Sequence, residues 1–159
     1  MMKIGVLGAG TMGNGIAQVM ASAGHEVTLC DIDNEILRTA ASTIDANLWR
    51  LYKKENKEFS EIGRVLSRIT FTTDKTKLAG LDIVIEAILE NRDIKKRVFA
   101  ELDAICDPKT ILASNTSGLS ITEIGSATGR PDRVIGMHFF NPVPVMKLVE
   151  IIKGSETSD

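Results

Sequence analysis

His138 and Glu150 are the two side chains of this sequence best suited to moving a proton. An imidazole titrates closest to neutrality, so it can accept and release a proton at physiological pH. Glu150 stands inside the apolar run Leu148-Val149-Glu150-Ile151-Ile152, where an ionised carboxylate is costly unless something pairs with it. A histidine with such an acid reads as a general base and the group that orients it. Taken singly, His138 fits a structural histidine equally well. Ser117, in Ser114-Asn115-Thr116-Ser117, offers a hydroxyl that can hold a substrate oxygen; the alternative is a loop or capping serine. His25, after Gly24, reads as a surface turn residue.

A second chemistry lies at the start of the chain, in the GxGxxG of Gly8-Ala9-Gly10-Thr11-Met12-Gly13. In such a motif the first glycine allows a tight turn and the second lets the backbone approach a pyrophosphate. The third permits close helix packing. The helix that follows presents free N–H groups and the positive end of its dipole to the phosphates. Asp31 ends the next apolar run, where its carboxylate can accept hydrogen bonds from adenosine ribose hydroxyls and repel a 2′-phosphate. Together these features point to a dinucleotide and favour NAD over NADP, with FAD the alternative for the same fingerprint.

Groups so far apart in sequence need a scaffold of alternating strands and helices. Apolar runs predict strands at Lys3–Leu7, Glu26–Cys30, Ile69–Thr72, Leu81–Glu86, Ile111–Ser114, Val134–His138 and Lys147–Ile152. Ile16, Ala17, Val19 and Met20 give the first helical stripe. From Asn34 to about Lys54, apolar residues recur at Ile36, Leu37, Ala40, Ile44, Leu48 and Leu51. After the polar break Lys53-Lys54-Glu55-Asn56-Lys57 a short helix is expected over Phe59–Leu66, so that a helical hairpin at about 34–67 projects from the domain. Asn91–Ile105 is amphipathic, with Ile94, Val98, Leu102 and Ile105 on one face, and Ser120-Ile121-Thr122-Glu123 fits a capping box. This order implies an α/β fold, a doubly wound, Rossmann-like, mostly parallel sheet with the hairpin inserted. Such sheets bind ligands beyond the carboxyl ends of their strands. Glu86-Ala87 with Glu90, the Ser114–Ser117 loop, His138 and Glu150 are all expected there.

Composition narrows the function classes. The 159 residues suffice for one domain with a proper core, and 43% hydrophobic with 25% charged residues is an ordinary globular balance. A net charge of −2 carries no polyanion signature, so nucleic acid is not an expected partner. No apolar run is long enough to span a bilayer. Cys30 and Cys106 lack metal-ligand spacing and fit buried, reduced thiols in a cytoplasmic protein. No metal site is expected.

The sequence closely resembles the N-terminal domain of 3-hydroxyacyl-CoA dehydrogenases, particularly the bacterial 3-hydroxybutyryl-CoA type. The resemblance runs from Lys3 to about Lys153 and rests on Val6–Gly13, Val84–Asn91, Ser114–Ser117 and the segment from His138 to Glu150. It implies NAD-dependent oxidation of (S)-3-hydroxyacyl-CoA to 3-ketoacyl-CoA, or the reverse reduction. His138 is implied as base, Glu150 as its partner, Ser117 as holder of the substrate oxygen and Asn141 as neighbour of the nicotinamide. Gly8, Gly10, Thr11, Met12, Gly13, Asp31, Ala87, Glu90 and Lys95 are the implied cofactor contacts, Lys95 near a ribose. Asn47 and Lys54 fall where the family contacts coenzyme A; a solvated helix face is the alternative for Lys53, Lys54 and Lys57.

Family members carry a further helical domain that closes over the acyl-CoA and forms a homodimer interface. On this resemblance residues 1–153 form the NAD-binding domain and 154–159 the start of a linker. The 159-residue polypeptide is expected to bind NAD and to turn over substrate poorly, with Phe139, Phe140, Val143, Val145 and Met146 forming an uncovered apolar patch. A non-catalytic nucleotide-binding module and a related 3-hydroxy-acid dehydrogenase are the other readings.

Overall fold

Strand β1 (Lys3–Leu7) is buried almost throughout, as a central strand covered on both faces must be. The computed structural model describes residues 1–159 and places β1 inside a seven-stranded sheet. Strands β2 (Glu26–Cys30), β3 (Ile69–Thr72), β4 (Ile83–Glu86), β5 (Ile111–Ser114) and β6 (Val134–Phe139) run parallel to it, and β7 (Val149–Lys153) is antiparallel at one edge. The order is β3-β2-β1-β4-β5-β6-β7. The chain winds outward one way from β1 and then returns to β4 on its other side. The crevice between the ends of β1 and β4 is therefore the switch point at which such sheets take ligands.

Alternating side chains commit each strand to two cores. On one face, Val6, Leu29 and Ile85 pack with residues of helices α1 (Thr11–Ser22), α2 (Asn34–Glu55) and α3 (Ser60–Leu66), among them Ile16, Ile44, Leu48 and Ile62. On the other, Leu7, Val84, Leu112 and Val134 pack with Phe99 and Leu102 of α4 (Arg92–Ile105) and Ile124 of α5 (Ile121–Gly125). Side-chain caps fix three helix starts. Asp33 accepts from the Glu35 N–H, Asn91 from those of Asp93 and Ile94, and Ser120 from that of Glu123.

Several expectations need correction. The helical pair at 34–67 does not stand clear of the domain: Leu37, Ala40, Ile44, Leu48, Tyr52, Ile62 and Val65 all enter the core beneath it. Only its outer side, with Trp49 stacked on Phe59 at 4.6 Å, faces solvent. The buried stripe of α4 is Lys95, Val98, Phe99 and Leu102, with a lysine where the apolar periodicity predicts Ile94. Strand β7 begins at Val149 and is almost wholly exposed, so Glu150 lies on an open edge and not among buried neighbours. The tail after Lys153 is tied down: Ser155 N–H donates to the Thr122 hydroxyl at 3.0 Å, the Thr157 hydroxyl to Val134 O at 2.6 Å, and Ser158 N–H to Asp132 O at 2.9 Å. The apolar residues expected to lie uncovered divide differently. Phe139 and Val143 are buried, while Val145, Met146, Leu148, Ile151 and Ile152 are exposed.

Candidate active site

The loop joining β1 to α1 is shaped by what its glycines leave out. Gly8 sits at φ +99°, and a Cβ there would lie 2.7 Å from the Ala87 carbonyl oxygen. A Cβ on Gly13 would lie 1.7 Å from the Gly8 carbonyl oxygen, so the helix starts pressed against its own loop. Gly10 is different: nothing lies within 4 Å of the position its Cβ would take. Its open side is free for a ligand. No side chain caps α1 at Gly10, which leaves the N–H groups of the first turn without a capping partner. This cradle fits a pyrophosphate.

Two clefts meet at Gly10 and Thr11. The larger, about 680 Å³, is lined by Gly8, Met12, Asp31, Ile32, Ala87 and Leu89, with Lys75, Arg97 and Glu101 at its far wall. Asp31 Oδ2 accepts from the Ala9 N–H and Oδ1 from the Ile32 N–H, both at 2.7 Å. The carboxylate is thus fixed at the end of β2 beside the loop. The Lys75 ammonium donates to Glu101 at 2.6 Å. Sequence reading does not single out Ile32, Lys75, Arg97 or Glu101, because each sits in a loop or on a helix face that reads as ordinary solvent-facing surface. The second cleft, about 500 Å³, runs between α1, α2 and the loop after β6, past Asn14, Thr43, Asn47, Asn141 and Pro144. Asn47 and Asn141 therefore share one cleft. Lys54 is exposed and lines neither.

His138 and Glu150 are direct partners across the β6–β7 ladder, so their side chains project from the same face of the sheet. His138 Nδ1 lies 2.8 Å from Glu150 Oε2. A carboxylate can only accept, so Nδ1 carries a proton, and in the neutral ring the lone pair is then on Nε2. The His138 side chain is 17% exposed and that of Glu150 51%; Phe140 stacks on the imidazole with centroids 4.5 Å apart. Phe140 precedes Asn141, which connects the pair to the second cleft.

Behind this surface lies a buried charge network that begins at Glu86, the last residue of β4. Glu86 is 0% exposed and Lys95 1%. Lys95 Nζ donates to Glu86 Oε1 at 2.6 Å and lies 3.3 Å from Glu90 Oε2. Lys95 thus lines neither cleft and holds Glu90 from behind. Glu90 Oε1 accepts from the Thr116 hydroxyl and from the Ser117 N–H. Burial pushes the Glu90 carboxyl up, but the Thr116 hydroxyl, the Lys95 ammonium and the Ser117 N–H outweigh it and hold the group below its ordinary value. The sequence carries a signal for Glu86: an acid closing the apolar run Ile83-Val84-Ile85. No three or more His, Cys, Asp or Glu side chains gather as a metal site would need. No helix is long and apolar enough to cross a membrane.

Comparison with known proteins identifies the family of this fold. Residues 3–159 match the family described as 3-hydroxyacyl-CoA dehydrogenase, NAD binding domain. The chain is 50% identical over 157 residues to a 3-hydroxybutyryl-CoA dehydrogenase of Clostridioides difficile, covering 99% of this chain and 56% of that protein. It is 46% identical to the mitochondrial hydroxyacyl-coenzyme A dehydrogenase of Homo sapiens, covering 96% of this chain and 51% of that one. The crystal structure of (S)-3-hydroxybutyryl-CoA dehydrogenase from Ralstonia eutropha superposes with a TM-score of 0.96 at 47% identity, covering 99% of this chain and 56% of that one. The chain therefore spans about half the length of these relatives. The family match also settles the fingerprint's ambiguity in favour of NAD over FAD. This chain belongs to the NAD-binding domain family of the 3-hydroxyacyl-CoA dehydrogenases.

Proposed function

We propose that this chain supplies the cofactor cleft and the proton relay for interconversion of (S)-3-hydroxyacyl-CoA and 3-ketoacyl-CoA, with 3-hydroxybutyryl-CoA as the favoured substrate. The observation that carries the reading is the His138–Glu150 pair, whose Nδ1 is engaged and whose Nε2 is free. Support comes from relatives named for this chemistry at 42–50% identity.

The larger cleft would hold the adenosine half of NAD, Asp31 meeting the ribose hydroxyls and the Gly8–Gly13 loop the pyrophosphate. Thr11, Met12 and Ala87 would line its path, and Asn141 would face the nicotinamide. When bound, NAD serves as the hydride acceptor. The protein's task is position and proton transfer. His138 Nε2 takes the proton of the 3-hydroxyl, and the resulting imidazolium is stabilised by Glu150 across the ladder. The Ser117 hydroxyl would hydrogen-bond the same substrate oxygen. Glu90 would face the ribose, with Lys95 acting through it. Asn47, in the second cleft, and Lys54 beyond it would meet the coenzyme A portion.

On its own the 159-residue polypeptide would reduce acetoacetyl-CoA slowly, because β7 and residues 145–148 leave the relay's side of the domain open to water. Mixing the chain with NADH and acetoacetyl-CoA tests the assignment. Slow NADH consumption that disappears in His138→Ala supports it, and consumption unchanged in that variant refutes it.

A further inference from the structure

Glu86 lines neither cleft, yet its carboxylate joins α4, the turn after β4 and the end of β5. We propose that Glu86 is a positioning residue that couples the cofactor-facing and substrate-facing loops, so that one buried carboxylate sets both. The inference rests on the roles given above to Glu90 and Ser117.

A carboxylate removed from water must be fully supplied with donors. Glu86 has three, and each comes from a different segment. Lys95 Nζ arrives from α4 at 2.6 Å, the Ile88 N–H from the turn after β4 at 2.7 Å, and the Ser114 hydroxyl from the end of β5 at 2.7 Å. From these the connections spread outward. Lys95 reaches Glu90 at 3.3 Å, the acid proposed above to face the ribose. Glu90 and the Thr116 hydroxyl then hold the N–H groups of Ser117 and Leu119, at 3.2 Å and 3.0 Å. On the other branch the Ser114 hydroxyl accepts from Thr116 N–H at 3.3 Å, and the Asn115 N–H donates to the Glu86 carbonyl oxygen at 2.8 Å. Asn115 Oδ1 in turn accepts from Phe139 N–H at 2.9 Å, next to His138. The carboxylate's two branches therefore converge on the Thr116–Ser117 loop, while the Asn115 link to the residue beside the base starts from the Glu86 backbone carbonyl.

Charge explains why an acid is needed. Lys95 faces two carboxylates with one positive charge. With Glu86 neutralised, the ammonium is attracted by Glu90 alone and moves toward it, and Glu90 carries Thr116 and Ser117 with it. A glutamine fits the same space and can donate to the Ser114 hydroxyl, so the fold survives while the balance is lost.

The test measures NADH affinity by fluorescence and backbone amide resonances by NMR in the 159-residue chain. Glu86→Gln should weaken NADH binding about tenfold and shift the Thr116, Ser117 and Leu119 amides together. Thr110→Val removes an equally buried hydroxyl, bonded to the Leu81 carbonyl at the opposite end of the sheet. It should lower the melting temperature and leave affinity and those amides unchanged. A folded Glu86→Gln chain with unaltered affinity and amides overturns the proposal, as does an equal effect from Thr110→Val. If Glu86→Gln does not fold, Ser114→Ala removes one branch alone. It should move the Thr116 amide; an unmoved amide overturns the coupling. Absence of NADH binding by the unmutated chain would instead refute the cofactor reading, and the amide shifts would still decide the coupling.

Discussion

His138 and Glu150 face one another across the β6–β7 ladder, 2.8 Å apart, with the acid on the exposed edge strand and the imidazole half-sheltered beneath Phe140. Their pairing is a matter of register: a one-residue slip of β7 would send Glu150 to the opposite face of the sheet. Glu150→Gln keeps a hydrogen-bond acceptor at Nδ1 and removes the charge that offsets the imidazolium. Acetoacetyl-CoA reduction by the chain should fall about tenfold or more, while NADH affinity stays within about twofold. An equal loss of NADH affinity, read by fluorescence titration, would contradict the assignment of Glu150 to the relay.

Gly10 and Gly13 should respond oppositely to alanine. Gly13→Ala places a methyl against the Gly8 carbonyl oxygen and should destabilise the chain and distort the loop. Gly10→Ala meets only open space, so its melting temperature should hold while NADH binding drops, since the methyl occupies room meant for the pyrophosphate. Thermal melts with matched NADH titrations check both. Unchanged affinity in Gly10→Ala would place the ligand elsewhere.

Glu90 gives a pH signature. Its carboxyl is held below the ordinary value in the folded chain. The stabilisation is therefore complete above the unfolded-state value, about 4.3, and is lost as pH falls through the folded-state value. Urea unfolding of the unmutated chain and Glu90→Gln should differ by a constant amount near neutrality, and the gap should close in acid. A gap that widens in acid would contradict the geometry around Thr116 and Lys95.

The thiols should be silent. Burial pushes Cys30 up to about 11, only partly countered by Lys75, and burial likewise raises Cys106 against the pull of Arg130. Since the thiolate is the reactive form, a disulfide reagent at about pH 8 should label neither cysteine in the folded chain and both in guanidinium. Rapid labelling of the folded chain would show that these cores open readily.

The placement of Asp31 beside the glycine loop is legible because it depends on local order: a strand, a tight turn, a helix start and an acid at the next strand's end. The His138–Glu150 contact is legible for a different reason, likeness to a known family, and burial of the acid does not account for it. Glu150 does not need its partner to survive burial, because β7 is an open edge. Lys95 shows the converse. The resemblance implies a cofactor contact for Lys95, while its place on the buried stripe of α4, in phase with Val98 and Leu102, brings it to the buried Glu86 carboxylate. The Lys75–Glu101 pair could not be seen at all, since it joins a loop and a helix 26 residues apart with no periodicity linking them.

Equilibrium titration of NADH into the chain tests the central claim most directly, with Asp31→Asn and NADPH as comparisons. The account predicts saturable NADH binding and far weaker NADPH binding, with the preference narrowed by at least about tenfold in Asp31→Asn. Failure of the folded chain to bind NADH, or a preference for NADPH that Asp31→Asn leaves unchanged, would contradict it.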